Sequence, residues 1–519
     1  MTLDSKIELY EIPDSWQWIK LQDISYVISG EAFKKREYST SGIKLLQIAN
    51  VSFGQVIWGK QNFLPEVFLE KYPELVLQEG DIVMALNRPI LNDVLKIAQL
   101  NLDDAPAILY QRVGCFKFYQ KNISEYFFRY VKSAFFMNQV ALNLKGSDQP
   151  YINTSTLPKF RFPLPPLNEQ HRIVTKIEAL TTRSRKARAA LAAIPPLLDQ
   201  FRDSVLAAAF RGDLTADWRA QNPDVEPAET LLERIRAERQ ARWEVAELEK
   251  MEAKGKVPKN DRWKEKYKEP LEIEQLPFLV TWCQSTVIDS CKLVVDCHNK
   301  TAPYKESGIK LVRTSNIRNG SLSLDNVKYI DQPTYEYWSR RCKPSSGDIL
   351  FTREAPMAEV AMIPEGEKIC MGQRMMLLRV DQKNLLGEYL LFMLQTPFVR
   401  EYVEKTAVGT GVKHLRVRDV EGVPVRIAPI QEQKEICKKL RELFDLIESL
   451  RQLYHSNFED LSTLDQSILT KAFQGQLVLQ DPNDEPASVL LERIRTEREK
   501  FEKKGKGRKG KGKRLKSGE

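Results

Sequence analysis

Four constellations in this 519-residue chain carry side chains that could do chemistry, and each lacks a necessary part. Cys291, Cys297 and His298 could begin a thiolate–imidazole metal site, but no second pair follows at zinc spacing. Asp381-Gln382-Lys383 has the carboxylate-x-lysine form of a nuclease centre without the upstream Pro-Asp that would complete it. Gly507 to Lys513 fits a phosphate-cradling loop, yet Arg514 stands where a magnesium-binding Ser or Thr is needed. A base-holding methyltransferase loop would place an aromatic residue after Pro-Pro, whereas Pro165-Pro166 and Pro195-Pro196 are each followed by Leu. With four histidines and no Gly-x-Ser-x-Gly elbow, a hydrolytic triad is not supported either. The residues predict binding without catalysis.

Composition bounds the class. The chain is 42% hydrophobic and 29% charged, with no apolar run long enough to cross a membrane and an acidic N-terminus unlike a signal peptide. A cytoplasmic protein of two to four domains is expected. Seven scattered cysteines, an odd number, fit reduced thiols. The net charge of +9 is no general sign of a nucleic-acid surface, because Lys500 to Glu519 holds ten basic and two acidic residues and so carries +8 of it.

The organising feature is a repeat. SVLAAAFRGDL from Ser204 returns as SILTKAFQGQL from Ser467, and PPLNEQ ending at Gln170 returns as APIQEQ ending at Gln433, both 263 residues on. LLERIRAER from Leu231 returns as LLERIRTER from Leu490. Upstream, SGIKLLQIANV from Ser41 is echoed by SGIKLVRTSNI from Ser307, and Gly80-Asp81 by Gly347-Asp348. The chain is therefore two diverged copies of one unit.

Each repeated segment reads as a long helix opened by proline and closed near Gly212 or Gly475. Apolar residues at alternating steps of four and three give a seam in each: Ile173, Ile177, Leu180, Leu191 and Leu198 in the first helix, and Ile436, Leu440, Leu443, Ile447, Leu450, Leu461, Leu464 and Ile468 in the second. Two such helices suit an antiparallel coiled coil, although each could instead cover its own domain. Pro195 and Pro196 should kink the first.

Short Val/Ile/Phe/Tyr runs punctuated by Gly, Asn and Asp predict strands at Ile43 to Ile48, Asp81 to Leu86 and Val113 to Phe118, with counterparts at Ile309 to Val312, Asp348 to Thr352 and Met375 to Val380. The fold class is α+β with a pseudo-two-fold repeat. The expected parts are a first variable domain (1–165), a long helix (166–215), a charged helical linker (216–275), a second variable domain (276–428), a second long helix (429–479), a short charged helix (480–499) and a disordered Lys/Gly tail (500–519).

Two variable domains, each followed by a helix that opens with Pro-Pro-Leu-x-Glu-Gln and closes with Ala-Phe-x-Gly-x-Leu, resemble the specificity subunits of type I restriction-modification systems. PDSWQWIKLQDIS from Pro13, GDILFTRE from Gly347 and PPLNEQHRIV from Pro165 carry the similarity along essentially the whole chain. The resemblance implies that each variable domain is a target-recognition domain reading half of a bipartite site in double-stranded DNA. It implies that the paired helices set the gap and dock two modification subunits, beside separate restriction subunits. S-adenosylmethionine, ATP and Mg would then be held by those partners, and no cofactor by this chain.

Base reading needs donors and acceptors on loops, Arg for guanine and Asn or Gln for adenine, with Lys on phosphate. The candidates just after predicted strands are Gln47, Asn50, Asn87 and Arg88 in the first domain, and Arg313, Asn316 and Arg353 in the second. Two polar loops before the helices add Lys145, Ser147 and Gln149, and Thr410, Lys413 and His414. Arg36 and Arg374 are weaker candidates. A coiled-coil adaptor without sequence-specific DNA binding is the alternative, and a self-contained methyltransferase or nuclease is disfavoured by the missing motifs.

Overall fold

A computed structural model of the chain describes residues 7–59, 61–256, 258, 260–267 and 279–514, with side chains to 503. The expected start of the second domain at 276 and the last five residues of the tail lie outside them. The contacts divide the chain into two units, Met1–Ala192 with His455–Glu519, and Ala193–Tyr454. Among the described residues no helix is long and apolar enough to cross a membrane.

In the first unit, alternation of apolar residues builds two sheets. One orders the strands Ser25–Ser29, Val113–Phe118, Ile82–Ala85, Ile97–Gln99 and Phe53–Gly54, and the other Phe63–Leu64, Ile43–Leu46, Ala107–Leu109 and Val76–Leu77. Ile82–Ala85 is buried at every position, as a central strand covered on both faces should be. A third pairing, Gln17–Lys20 antiparallel to Arg161–Leu164, brings the two ends of the domain together.

The second unit repeats the plan. Its sheets run Leu293–Asp296, Met375–Arg379, Ile349–Arg353, Met357–Met362, and Lys328–Ile330, Ile309–Val312, Ile369–Met371. Cys283–Thr286 pairs with Pro424–Ile427 to close the domain. The expected strands thus form, within a residue or two at their ends.

The first repeated helix is two, Leu167–Ala192 and Ile194–Arg211, because Pro195 and Pro196 fall in the first turn of a new helix where a missing N–H costs least. The second runs unbroken from Ile430 to Phe473. Within each unit the helices touch through the same repeated arginine. Arg188 donates to Ser462 at 3.3 Å in the first unit, while Arg451 pairs with Asp199 in the second, each of these positions lying 263 residues from its counterpart. In the second unit Arg202 lies over Phe444 while Arg451 meets Asp199, so the helices there run antiparallel.

The seam residues divide between the domains and the surface. Ile173 and Ile177 are buried in the first domain's own aromatic core, and Ile436 and Leu440 in the second's. Leu198, Ile447 and Ile468 are buried, but Leu450 and Leu464 are 39% and 49% exposed. The helix break at Ala193 interrupts the register that a full-length seam would need.

The charged segments dock. Helix Ala228–Glu252 buries Leu231, Leu232 and Ile235 in the second unit, and helix Ala487–Arg514 buries Leu490, Leu491 and Ile494 in the first. The second therefore packs on the domain at the opposite end of the sequence. Its helix also runs through Lys500 to Arg514, where the sequence suggests a disordered tail. Arg498–Glu502 and Lys500–Glu497 pairs support the turns that lead in.

Candidate nucleic-acid interface

Each domain assembles one frame from three loops. In the first, strand Ile82–Ala85 runs out into Asn87-Arg88, and Asn87 forms a bridge with Tyr151 of the hairpin Lys145–Tyr151. Arg88 adopts a φ of 48° and donates its N–H to Pro150 at 2.7 Å. In the second, Glu354 forms a bridge with His414 of the hairpin Val408–His414, and Ala355, the counterpart of Arg88, has a φ of 49°.

The third loop places an arginine in the left-handed region in both domains, Arg112 at φ 66° and Arg374 at 68°. The carbonyl of each locks the strand-end loop, accepting from Leu86 at 2.9 Å and from Arg353 at 2.8 Å. Such a conformation is costly for a side chain other than glycine's, and it persists where the surroundings fix it. Here it aims an exposed arginine from a rigid sheet. The dipeptide Gln-Arg precedes a strand in both copies, a signal by which Arg112 could have been found.

Of the expected readers, Arg88, Lys145, Ser147, Gln149, Thr410 and Lys413 are exposed on these loops, and Asn87 and His414 are half-buried at the bridges. Others do structural work. Asn50 and Asn316 are 2% and 5% exposed. Each accepts the N–H of the residue three before it, from Gln47 and Arg313, both at 3.0 Å, and donates to the carbonyl of Ile57 or Asp325. They staple a turn in each copy, and their burial keeps them from a base. Gln47 accepts from Asn62 at 2.6 Å, and Arg353 pairs with Asp296 at 3.1 Å and donates to Leu415 O, so both are drawn into the fold.

The second domain also carries a cleft of about 210 Å³ between Lys300, Arg313 and Arg374. Arg313 Nε is buried there with no hydrogen-bond partner. Nearby, loss of water and the charges of Arg340, Lys300 and Arg341 hold the His298 imidazole below its ordinary value, which marks a positive field beside the cleft. Arg374 is shared with Glu354 at 3.3 Å. In the first domain the corresponding stretch is the exposed Lys34, Lys35 and Arg36. Such loops can bind phosphate with lysine and present arginine and amide groups to base edges.

The family profile described as the type I restriction modification DNA specificity domain matches residues 13–191 and 294–455. The specificity subunit of the type I restriction enzyme EcoBI of Escherichia coli is 24% identical over 504 residues, 94% of each chain. That of MjaVIII from Methanocaldococcus jannaschii is 44% identical over 176 residues, which is 34% of this chain and 41% of that protein. In fold, the chain is similar to the HsdS subunit from Thermoanaerobacter tengcongensis, with a TM-score of 0.53 at 18% identity over 91% of this chain and 99% of that one. A chain from a type I R-M system complex gives 0.61 at 19% identity over 90% and 100%.

Proposed function

The chain belongs to the type I restriction-modification DNA specificity family, and on that premise we propose that its two domains each read one half of a bipartite DNA target. The observation that carries this reading is a single backbone frame bearing different side chains. Arg88 is answered by Ala355 at the same φ, Asn87 by Glu354, and Lys145, Ser147 and Gln149 by Val408, Thr410 and Val412. Two copies of one reader with different donors and acceptors suit two different half-sites.

The chain itself supplies recognition and no catalysis. The paired helices set the gap between half-sites and dock two modification subunits, which bring S-adenosylmethionine to adenine, while restriction subunits bring ATP- and Mg-dependent cleavage. Support for docking comes from apolar residues left on the helices, with Leu197, Leu446, Leu450 and Leu464 between 39% and 59% exposed.

Exchanging residues 1–165 for the corresponding domain of a relative tests the reading. Mapping of methylated adenines in cells carrying the exchanged chain and its modification subunit should show one half-site changed and the other kept. An unchanged motif would refute two independent readers.

A further inference from the structure

The two units carry the same cleft between the repeated helix and the domain, built with opposite chemistry. In the second unit the cleft is polar and internally satisfied. Arg400 makes a two-point pair with Asp203 at 2.7 and 2.8 Å, Arg202 donates to Gln395, and Glu359 accepts the N–H of Asn319 at 2.7 Å.

In the first unit, the positions 263 residues away replace Arg400 by Met137, Asp203 by Gln466 and Gln395 by Lys132, while Phe53 stands for Asn319. The correspondence is spatial as well, since a Cβ added to Gly54 would meet Lys132 and one added to Gly320 would meet Gln395. The result is a cleft of about 260 Å³ walled by Phe53, Val94, Met137 and Leu469, with Asp93 and Gln466 also on its lining and Phe53 and Val94 each 47% exposed.

One cation sits in it. Lys132 Nζ lies 4.2 Å from the centre of the Phe128 ring, and among the described residues no carboxylate, Asp93 on the lining included, comes within ion-pair distance of it. Burial pushes its amine down to about 8, with Arg129 and Arg185 adding to the effect. A desolvated ammonium among apolar walls, under a positive local field, favours a carboxylate brought from outside.

We propose that this cleft receives a segment of one modification subunit, an apolar side chain seating against Phe53, Met137 and Leu469 and an adjacent carboxylate pairing with Lys132. It rests on the reading that modification subunits dock on this chain. The cleft of the second unit, where Asp203 already occupies the carboxylate's place, does not offer the same seat, so the two docked subunits are held unequally. Duplex DNA fits less well, because a phosphodiester would meet apolar walls and a single amine.

The test uses the full chain and its purified modification subunit, with binding measured by calorimetry and assembly by native mass spectrometry. Lys132→Met keeps the cleft filled and removes the charge. Gln466→Asp supplies the internal carboxylate that the second unit has. Both should weaken one of the two docking events by about tenfold and leave the other unchanged. Wild-type affinity should also fall as pH rises through about 8, where the amine loses its charge, and this dependence should vanish in Lys132→Met. Unaltered affinity and pH profile in both variants would overturn the proposal. So would normal docking with weakened DNA binding, which would make Lys132 a phosphate contact. A wild-type chain that captures no modification subunit would instead refute the docking reading, and this inference with it.

Discussion

The indole N–H of Trp16 donates to the buried carboxylate of Glu169 at 2.9 Å. The pair is repeated as Trp282 and Glu432 at 2.8 Å. In each unit it ties the domain's opening strand to the first turn of a repeated helix, and the glutamate is the one in Pro-Leu-x-Glu-Gln or its counterpart. The remaining partners differ. Glu432 also accepts from Thr215 and the guanidinium of Arg219, whereas Glu169 accepts from the neutral amide of Gln480. Glycine closes both sites, since a Cβ on Gly212 would strike Leu279 and Arg219, and one on Gly475 would strike Pro13.

Glu432→Ala should therefore cost more stability than Glu169→Ala. The first leaves Arg219 without its counter-charge, at about 3–5 kcal/mol, and the second leaves neutral donors unpaired, at about 1–3 kcal/mol. Denaturant titration of the two variants checks the order, and equal losses would contradict it.

Arg112→Ala and Arg374→Ala should each weaken binding to the specific target by about 1–3 kcal/mol, acting on different half-sites. Competition with oligonucleotides altered in one half at a time would show which half each arginine serves. A uniform loss across all sequences would assign them to phosphate.

Asn50→Ala and Asn316→Ala should lower stability by about 1–2 kcal/mol, because each strands a backbone N–H in a turn. The methylated motif should stay the same. A changed motif at unchanged melting temperature would return them to base reading.

Docking of helix Ala228–Glu252 on the second domain should weaken in acid. Burial raises the Asp289 carboxyl, but Arg236, Ser285 and Arg239 outweigh it and hold it below its ordinary 3.8. A depressed carboxyl stabilises fully above that ordinary value and loses its contribution as pH falls through the lower one of the folded state. Hydrogen exchange in residues 228–252, followed from pH 6 downward and corrected for its intrinsic pH dependence, should accelerate below about 3.8 in the wild type. In Asp289→Asn it should be fast already at pH 6.

Adding or deleting whole helical turns within residues 183–198 should change the tolerated gap between half-sites or abolish assembly. A normal gap at normal affinity would remove the helices from the role of ruler.

The sequence by itself determined the two-copy plan, the strands and the proline-opened helices, because a repeat, an alternation and a helix start signal are local patterns that survive without coordinates. It also placed Arg88 and the hairpin residues Lys145 and Lys413 on exposed loops. Only tertiary structure separated exposed loop residues from staples, since Asn50 and Arg88 look alike as polar residues after a strand, and burial with an occupied amide distinguishes them. The same holds for the seam. Period alone marked Leu450 and Ile436 as equals, but Ile436 meets a domain while Leu450 remains 39% exposed. Tertiary structure also decided that the segment around Leu490 packs on the domain that opens the chain, and that among the described residues no carboxylate pairs with Lys132, whereas its counterpart Gln395 is hydrogen-bonded. Such pairings join residues hundreds of positions apart, and no local pattern encodes them.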